Sequence, residues 1–350
     1  MKYISILFLG LFFIIGCGDN EKNNPAEGKD GQNEYSFDST ALKTETLDNP
    51  NQAFYLRYKF KTGEKVRYRV TSIMNNRQHI EADTVMDQNV KQTAVYLIDI
   101  DPVEVDAESV AELKLTIKSI KVNASANEES FSFETGTSKD SSEIVKFAEY
   151  AALTNNSFSI RLSKSGEILE IFKVDKIVNQ YLKIKGYADS LNAENKVVVR
   201  NQIITTGLKP ILSQVFRELP EKKVAKDSTW SFVQPTSRIL IFQMEATTVY
   251  KITNLEKYED NVVAVFDASL ITKVEGQTKY TDRGINYTFK KPITTAAGKV
   301  YFNVESGLIL KSKTDVNISM ANTMEMDSPK GKIKGSQSEN QKITYIVEKI

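Results

Sequence analysis

The sequence predicts a mainly β, α+β protein in which curved antiparallel sheets, read as two half-barrel-like β units, pack on a central helical segment. Apolar residues recur with period two over most of the 350-residue chain after residue 53, the mark of half-buried strands. One block, 172–220, switches to the helical period of 3.6. One alternating run, Thr314 to Met326, would reach ~44 Å as an unbroken strand at ~3.4 Å per residue, about twice an ordinary strand. Such a strand must curve, bulge or protrude.

The elements follow in order. Val66, Tyr68 and Val70 alternate with Arg67 and Arg69; Leu113, Leu115 and Ile117 repeat the pattern, as do Phe158, Ile160 and Leu162. Thr62-Gly63, Asp101-Pro102 and Ser165-Gly166 supply turn chemistry between them. A short helix opens at Asp140, a capping residue with Glu143 three positions on, and presents Ile144, Phe147, Ala148 and Ala151. Val174, Ile177, Val178, Tyr181 and Leu182 form one helical face, and Ile204 to Leu219 continue in the same period. Pro210 must break or kink that second helix or begin a new one, and Pro220 ends it. Strands return at Trp230 and run to the end, with Ala264, Phe266, Ala268 and Leu270 alternating, then Ile343, Tyr345 and Val347. "SGEIL" (165–169) and "SGLIL" (306–310) hint at a duplication, but the apolar rows before the two glycines fall out of phase. A one-residue difference at the turn would account for that.

The start of the chain is of another kind. Met1-Lys2 precedes an apolar run to Ile15 that is too short to span a bilayer, and Gly16-Cys17 follows. Ile14-Ile15-Gly16-Cys17 resembles the lipobox of bacterial lipoproteins, in which the cysteine is diacylated and becomes the mature N-terminus. Cys17 is the one cysteine of the chain and is expected to be its lipid anchor; the polar, Asn-rich stretch after it suits a tether. The expected organisation is a signal peptide at 1–16, lipidated Cys17 and disordered tether at 17–52, a first β region with a short helix at 53–171, a helical segment at 172–220 and a second β region at 221–350. Membrane association through the N-terminal lipid follows, with the cell envelope and its outer membrane as the expected location and both membrane faces open.

Composition removes several classes. The 46 basic and 45 acidic residues nearly cancel, so no field draws nucleic acid, and none is expected as a partner. The single histidine, His79, excludes a His-rich metal site or zinc helix and leaves little for a triad. With Cys17 acylated, no intrachain disulfide or cysteine nucleophile remains. No phosphate loop, dinucleotide fingerprint or nucleophile elbow occurs, and no cofactor is expected.

Four motifs then occur in order: "TGEKVRYRV" (62–70), "FSIRLSKSGEILEI" (158–171), "LPEKKVAKDSTWSF" (219–232) and "AAGKVYFNVESGLILKS" (296–312). Together they resemble an uncharacterised family of Bacteroidota envelope lipoproteins, classed as a domain of unknown function, over roughly 54–348. Lys226 stands where that family usually has glycine before Asp-Ser-Trp, and Asn303 replaces a common acidic residue. The resemblance implies location and architecture and supplies no mechanism.

Two features remain as candidate chemistry. "DIDPVEVD" gathers Asp99, Asp101, Glu104 and Asp106, but without the glycine and terminal glutamate of a calcium loop; solvated acids at a hairpin turn are the simpler reading. Met320, Met324 and Met326 share a strand face with Val316 and Ile318. Methionine is flexible and polarisable and suits surfaces that accommodate varied apolar partners. The plain reading of the stripe is core packing against the helical block; the sharper one is that it lines an apolar cleft. The function expected is a non-enzymatic envelope lipoprotein that binds an apolar ligand or lipid. The alternatives are a structural or assembly lipoprotein that binds an envelope protein and, ranked last, a carboxylate-dependent hydrolase.

Overall fold

The computed structural model describes residues 34–47, 52–127, 129–137, 140–329 and 331–350; the expected signal peptide and Cys17 lie outside the described residues. The first half of the chain contributes β1 (Glu45–Thr46), β2 (Val66–Glu81), β3 (Val85–Val105), β4 (Ala111–Ala126) and β5 (Glu129–Glu134). Helices α1 (Ser141–Lys146) and α2 (Ala148–Leu153) precede the hairpin β6 (Phe158–Leu162) and β7 (Ile168–Phe172). A helical block follows, with α3 (Asp175–Ile184), α4 (Ala193–Gln202), a π-helical stretch at Ile203–Leu208 and α5 (Lys209–Val215). The second half adds β8 (Thr229–Val233), β9 (Ser237–Ile239), β10 (Phe242–Tyr258), β11 (Asn261–Glu275), β12 (Lys279–Asp282) and β13 (Ile285–Phe289). It ends with β14 (Ile293–Asn303), β15 (Leu308–Ser328) and β16 (Gly331–Lys349).

The strand order is β1-β10-β11-β14-β15-β16-β2-β3-β4-β6-β7, each neighbour antiparallel, with β5, β8, β9 and the β12–β13 hairpin attached beside it. The two β regions are therefore halves of one curved, unclosed sheet rather than separate units. The join is β16, which returns to pair with β2 from Ser336 opposite Glu81 to Lys349 opposite Tyr68. Left at an edge, so long a strand would present a row of unsatisfied backbone groups. Strand β15 runs 21 residues, longer than its alternation alone marks out.

The concave face carries the core. Val66, Tyr68 and Val70, Leu113, Leu115 and Ile117, and Phe158, Ile160 and Leu162 are all buried in one apolar cluster with Phe266, Val300 and Val347 from the other half. Leu208, Ile211, Leu212, Val215 and Phe216 belong to the same cluster, and α5 lies over β2 and β16. Asp140 caps α1 by accepting from Ser142 N at 2.8 Å. Pro210 is the second residue of α5, which continues from α4 through the π-helical stretch without a gap. The helix widens to π geometry just before it, because the proline ring cannot sit against the carbonyl four residues earlier. Among the described residues no helix is long and apolar enough to cross a membrane.

Two expectations change. Asp101-Pro102 is no turn: β3 continues through it to Val105, and the chain reverses at residues 106–110. Pro102 is tolerated because pairing with β2 stops at Ile100 and a register shift falls between Pro102 and Glu104. The stretch read as tether up to residue 52 is also not free throughout. Residues 34–47 strap the convex face: Arg69 Nε donates to Glu34 O at 2.9 Å, Lys311 Nζ pairs with Asp38 at 2.8 Å, and β1 adds to β10. Leu42 of the strap covers a small convex cluster of Val263, Val265 and Tyr301. Hydrogen bonds from Lys311 and Thr40 hold the Asp38 carboxyl far below the usual carboxylate range. This contribution is present above pH ~4 and is lost as the pH falls through the lowered value.

The two Ser-Gly hairpins share a construction. An extra residue bulges three positions past each glycine, Leu169 in β7 and Leu310 in β15. The turns differ by one residue: Leu162 pairs with Ile168 across the first, whereas Asn303 pairs with Leu308 across the second. That difference accounts for the phase offset in the sequence. Gly166 and Gly307 both have positive φ, +88° and +66°. Another stretch of backbone presses against each, so that an added Cβ would lie 2.2 Å from Arg217 O or 2.4 Å from Arg57 O.

Candidate functional site

Directly opposed residues of antiparallel strands point to the same face, so the register shows what shares the concave surface beyond the helices. Val316 opposes Ile343, which opposes Met74; Ile318 opposes Gln341, which opposes Asn76; Met320 opposes Glu339. Met86 opposes Ile80 on the same face of β2. Across β15 lie Ala296 and Thr294 of β14, and Tyr287 and Ile285 of β13 oppose Met324 and Met326. Met244, opposite Val274, lies on this face through β10 and β11. All six methionines after Met1 are therefore on one side of the sheet.

The stripe is not core. Val316, Ile318, Met320, Met324 and Met326 are half-buried, and none belongs to the cluster that holds the helices. Packing against the helical block, the plainer expectation, is overturned. Ile177, Ile211 and Phe216 instead fill the end of the concavity where Val70, Tyr96 and Val347 lie. The face beyond is amphipathic, with side-chain amides and the buried carboxylate of Glu339 between the methionines. Asn76 Nδ2 donates to Glu339 Oε1 at 2.8 Å, and Gln341 Nε2 contacts Met74 Sδ at 3.4 Å. Burial pushes the Tyr96 and Tyr345 phenols up, so both stay neutral and add no charge.

The helical cap ends in a polar group. Arg217 follows α5 and is buried, and its Nη2 donates to Gln214 Oε1 and, at 2.9 Å, to Thr314 Oγ1. Thr314 is the residue before Val316 on the same face of β15. The Arg217 backbone N–H donates to Tyr58 Oη at 2.7 Å. Burial pushes the Tyr58 phenol far up.

The remaining candidates are structural. Asp99 pairs with Arg67 at 2.5 Å, Asp101 with Lys65 at 3.2 Å, and Asp106 Oδ1 accepts from Glu108 N and Val110 N, each at 2.9 Å. Those acids are spread along a strand and its turn, and among the described residues no group of three or more His, Cys, Asp or Glu is placed to hold a metal. His79 lies in β2, its Nδ1 2.7 Å from Asp87 Oδ1. Trp230 stacks on Tyr250 at 5.2 Å and donates from Nε1 to Glu218 O at 3.1 Å, a core position. A cleft of about 250 Å³ opens beside Tyr58, Phe60 and Leu162. Two of its three lysines are engaged, Lys59 with Val304 O at 2.8 Å and Lys61 with Glu64 at 3.2 Å.

Sequence reasoning found three of the six methionines of the face. Met74, Met86 and Met244 were missed because each stands alone in its own strand. Only the register places them on the same face of the sheet as Met320.

No curated protein matches the chain. Among solved structures, a lipovitellin structure titled for its lipid–protein interactions is 10% identical with a TM-score of 0.37, over 81% of this chain and 25% of that one; the chain thus spans a quarter of lipovitellin. Pseudomonas aeruginosa OccK2 (OpdF), in complex with glucuronate, is 7% identical with a TM-score of 0.18, over 81% of this chain and 96% of that one. The COG4313 outer membrane channel from Pseudomonas putida F1 is 7% identical with a TM-score of 0.18, over 82% and 97%. At these scores neither kinship nor activity is drawn from them. The family model that matches, DUF6263, covers residues 108–309, from the start of β4 to the start of β15. More than half of the chain lies within that match, and the protein belongs to DUF6263, a family of unknown function.

Proposed function

We propose that this protein is a non-enzymatic lipoprotein of the bacterial outer membrane, of the Bacteroidota type that its motifs resemble, and that it binds the acyl chain of an amphiphile on the methionine face. One observation carries this reading: six methionines from β2, β3, β10 and β15 share the concave face and stay outside the helical core. Flexible thioethers conform to chains of varied shape, and the polar side chains between them, Asn76, Gln341 and Glu339, would fix a ligand's orientation as polar groups do in small-molecule sites. Anchoring through Cys17 would hold the face near lipid, since the chain from Cys17 to the strap at Glu34 reaches at most about 60 Å.

The first test uses Nile red, a neutral apolar dye. Met324→Ala should weaken dye binding at least threefold while costing about 1 kcal/mol or less, because the side chain is only half-buried. A parent protein that binds no dye, or a core-sized loss of about 2–5 kcal/mol on Met324→Ala, would end the proposal.

The second test concerns the anchor. Cys17→Ser, expressed in a host that processes lipoproteins, should move the protein from the membrane fraction to the soluble fraction. Continued membrane association after removal of the signal would refute lipidation as the anchor.

A further inference from the structure

Arg217 raises a question that the apolar face leaves open. Its side chain belongs to a residue only 8% exposed, and a guanidinium keeps its charge at any physiological pH. Buried charges are ordinarily paired, because taking an ion from water without a counter-ion is unfavourable. Among the described residues no carboxylate pairs with Arg217. Its side-chain partners are neutral, Gln214, Thr314 and the Tyr250 hydroxyl, and its Nε has no hydrogen-bond acceptor. The surroundings are aromatic: burial pushes the neighbouring Tyr250 phenol up while the guanidinium pulls it down, and Tyr58 is held by the Arg217 backbone.

The position gives this charge a meaning. Thr314, which receives Nη2, precedes Val316 on the concave face and opposes Gly298 of β14, the one position of that row without a side chain. An added Cβ at Gly298 would come within 2.8 Å of Thr314 Oγ1, so the absence of a side chain there lets Thr314 pack against β14 in the position that receives Arg217. Arg217 thus stands where the helical cap ends and the methionine face begins. Of the guanidinium's donors, Nη2 is engaged by Gln214 and Thr314, while Nε has no acceptor.

We infer that Arg217 receives the acidic head of the bound amphiphile, a carboxylate or phosphate, while its chain lies along Met74, Val316, Ile318 and Met320. This rests on the reading of the face as an acyl-chain site and adds a ligand class to it. A guanidinium suits both heads, since its donors match the oxygens of either in a two-pronged contact. With the ligand absent, the charge is held by neutral acceptors alone; with the ligand bound, it gains its counter-ion.

The experiment follows displacement of Nile red from the Cys17→Ser chain, which carries no acyl group of its own. Laurate, dodecyl phosphate, 1-dodecanol and inorganic phosphate are the competitors. At least one of the two acids should displace the dye tenfold or more better than dodecanol, and the better acid identifies the head. Inorganic phosphate alone should displace none. Arg217→Gln should bring the acids to within threefold of dodecanol and leave dodecanol unchanged, and Arg217→Lys should keep part of the preference. The better acid should also raise the thermal midpoint of the parent more than that of Arg217→Gln, whose own midpoint should not fall below the parent's. Equal displacement by acids and alcohol would overturn the head-group assignment and leave the apolar face standing. An acid preference that survives in Arg217→Gln would overturn it too, as would displacement by free phosphate alone. A dye that does not bind the parent would remove both readings together.

Discussion

Gly166→Ala should destabilise the protein by more than about 4 kcal/mol, the range reserved for a few mechanisms, and should leave little folded chain at 37 °C. Two effects add. The left-handed conformation at φ +88° costs an L side chain about 1–2 kcal/mol. The new methyl would also sit 2.2 Å from Arg217 O and 2.6 Å from Tyr58 Cε2. Neither neighbour can yield cheaply: Tyr58 is wedged edge-on against Phe216 and Phe302, at ring centroids of 5.9 and 5.6 Å, and its hydroxyl accepts the Arg217 N–H. Gly207→Ala is the control, since the nearest atom to its added methyl is Leu153 Cδ1 at 4.0 Å and its φ is not left-handed. It should be neutral or stabilising by up to about 1 kcal/mol. Urea unfolding of the pair measures the difference; similar midpoints would mean that the Arg217 backbone does not cross the turn so closely.

Phe302→Ala should cost about 3–5 kcal/mol. Phe302 is fully buried in β14 and packs on Tyr58, the aromatic that links the early segment before β2 to the end of the helical block. The cavity would open where the two halves of the sheet and the helices meet, so little local collapse is available to fill it. The urea midpoint should fall with an unchanged slope, because the loss is in stability rather than in surface exposed on unfolding. Met324→Ala, in the same sheet but on the open part of the face, should cost only about 1 kcal/mol or less. That contrast between two apolar residues separates core from binding surface. Equal losses at Phe302 and Met324 would place the methionine in the core after all.

Much of the architecture was legible because its causes are local. Alternation marks β2, β4, β6 and β11, since a strand sends successive side chains to opposite faces whatever its neighbours are. The helical period marks α3 and α5, Asp140 marks the start of α1, and Pro210 marks a discontinuity by lacking a backbone donor and crowding the preceding turn. The Ser-Gly turns announce both hairpins, and even their phase offset had a readable cause in one residue of turn length. Asp101-Pro102 misled because turn chemistry is only a local preference, and the proline found a place in β3 past its pairing with β2.

What the sequence by itself determined was which residues form strands and helices and which face of each is apolar. The tertiary structure decided what those faces meet. Pairing of β16 with β2 turned two β regions into one sheet. The register placed Met74, Met86 and Met244 on the face of a stripe that the sequence showed only in β15. The strap at 34–47 took a convex cluster that no alternation announced. Arg217 is unremarkable among 46 basic residues until burial without a carboxylate sets it apart. The reason is common to all four. Periodicity records that a face must leave water, but the partner across a sheet is fixed by contacts between residues hundreds of positions apart, and the isolation of a charge depends on every chain segment around it.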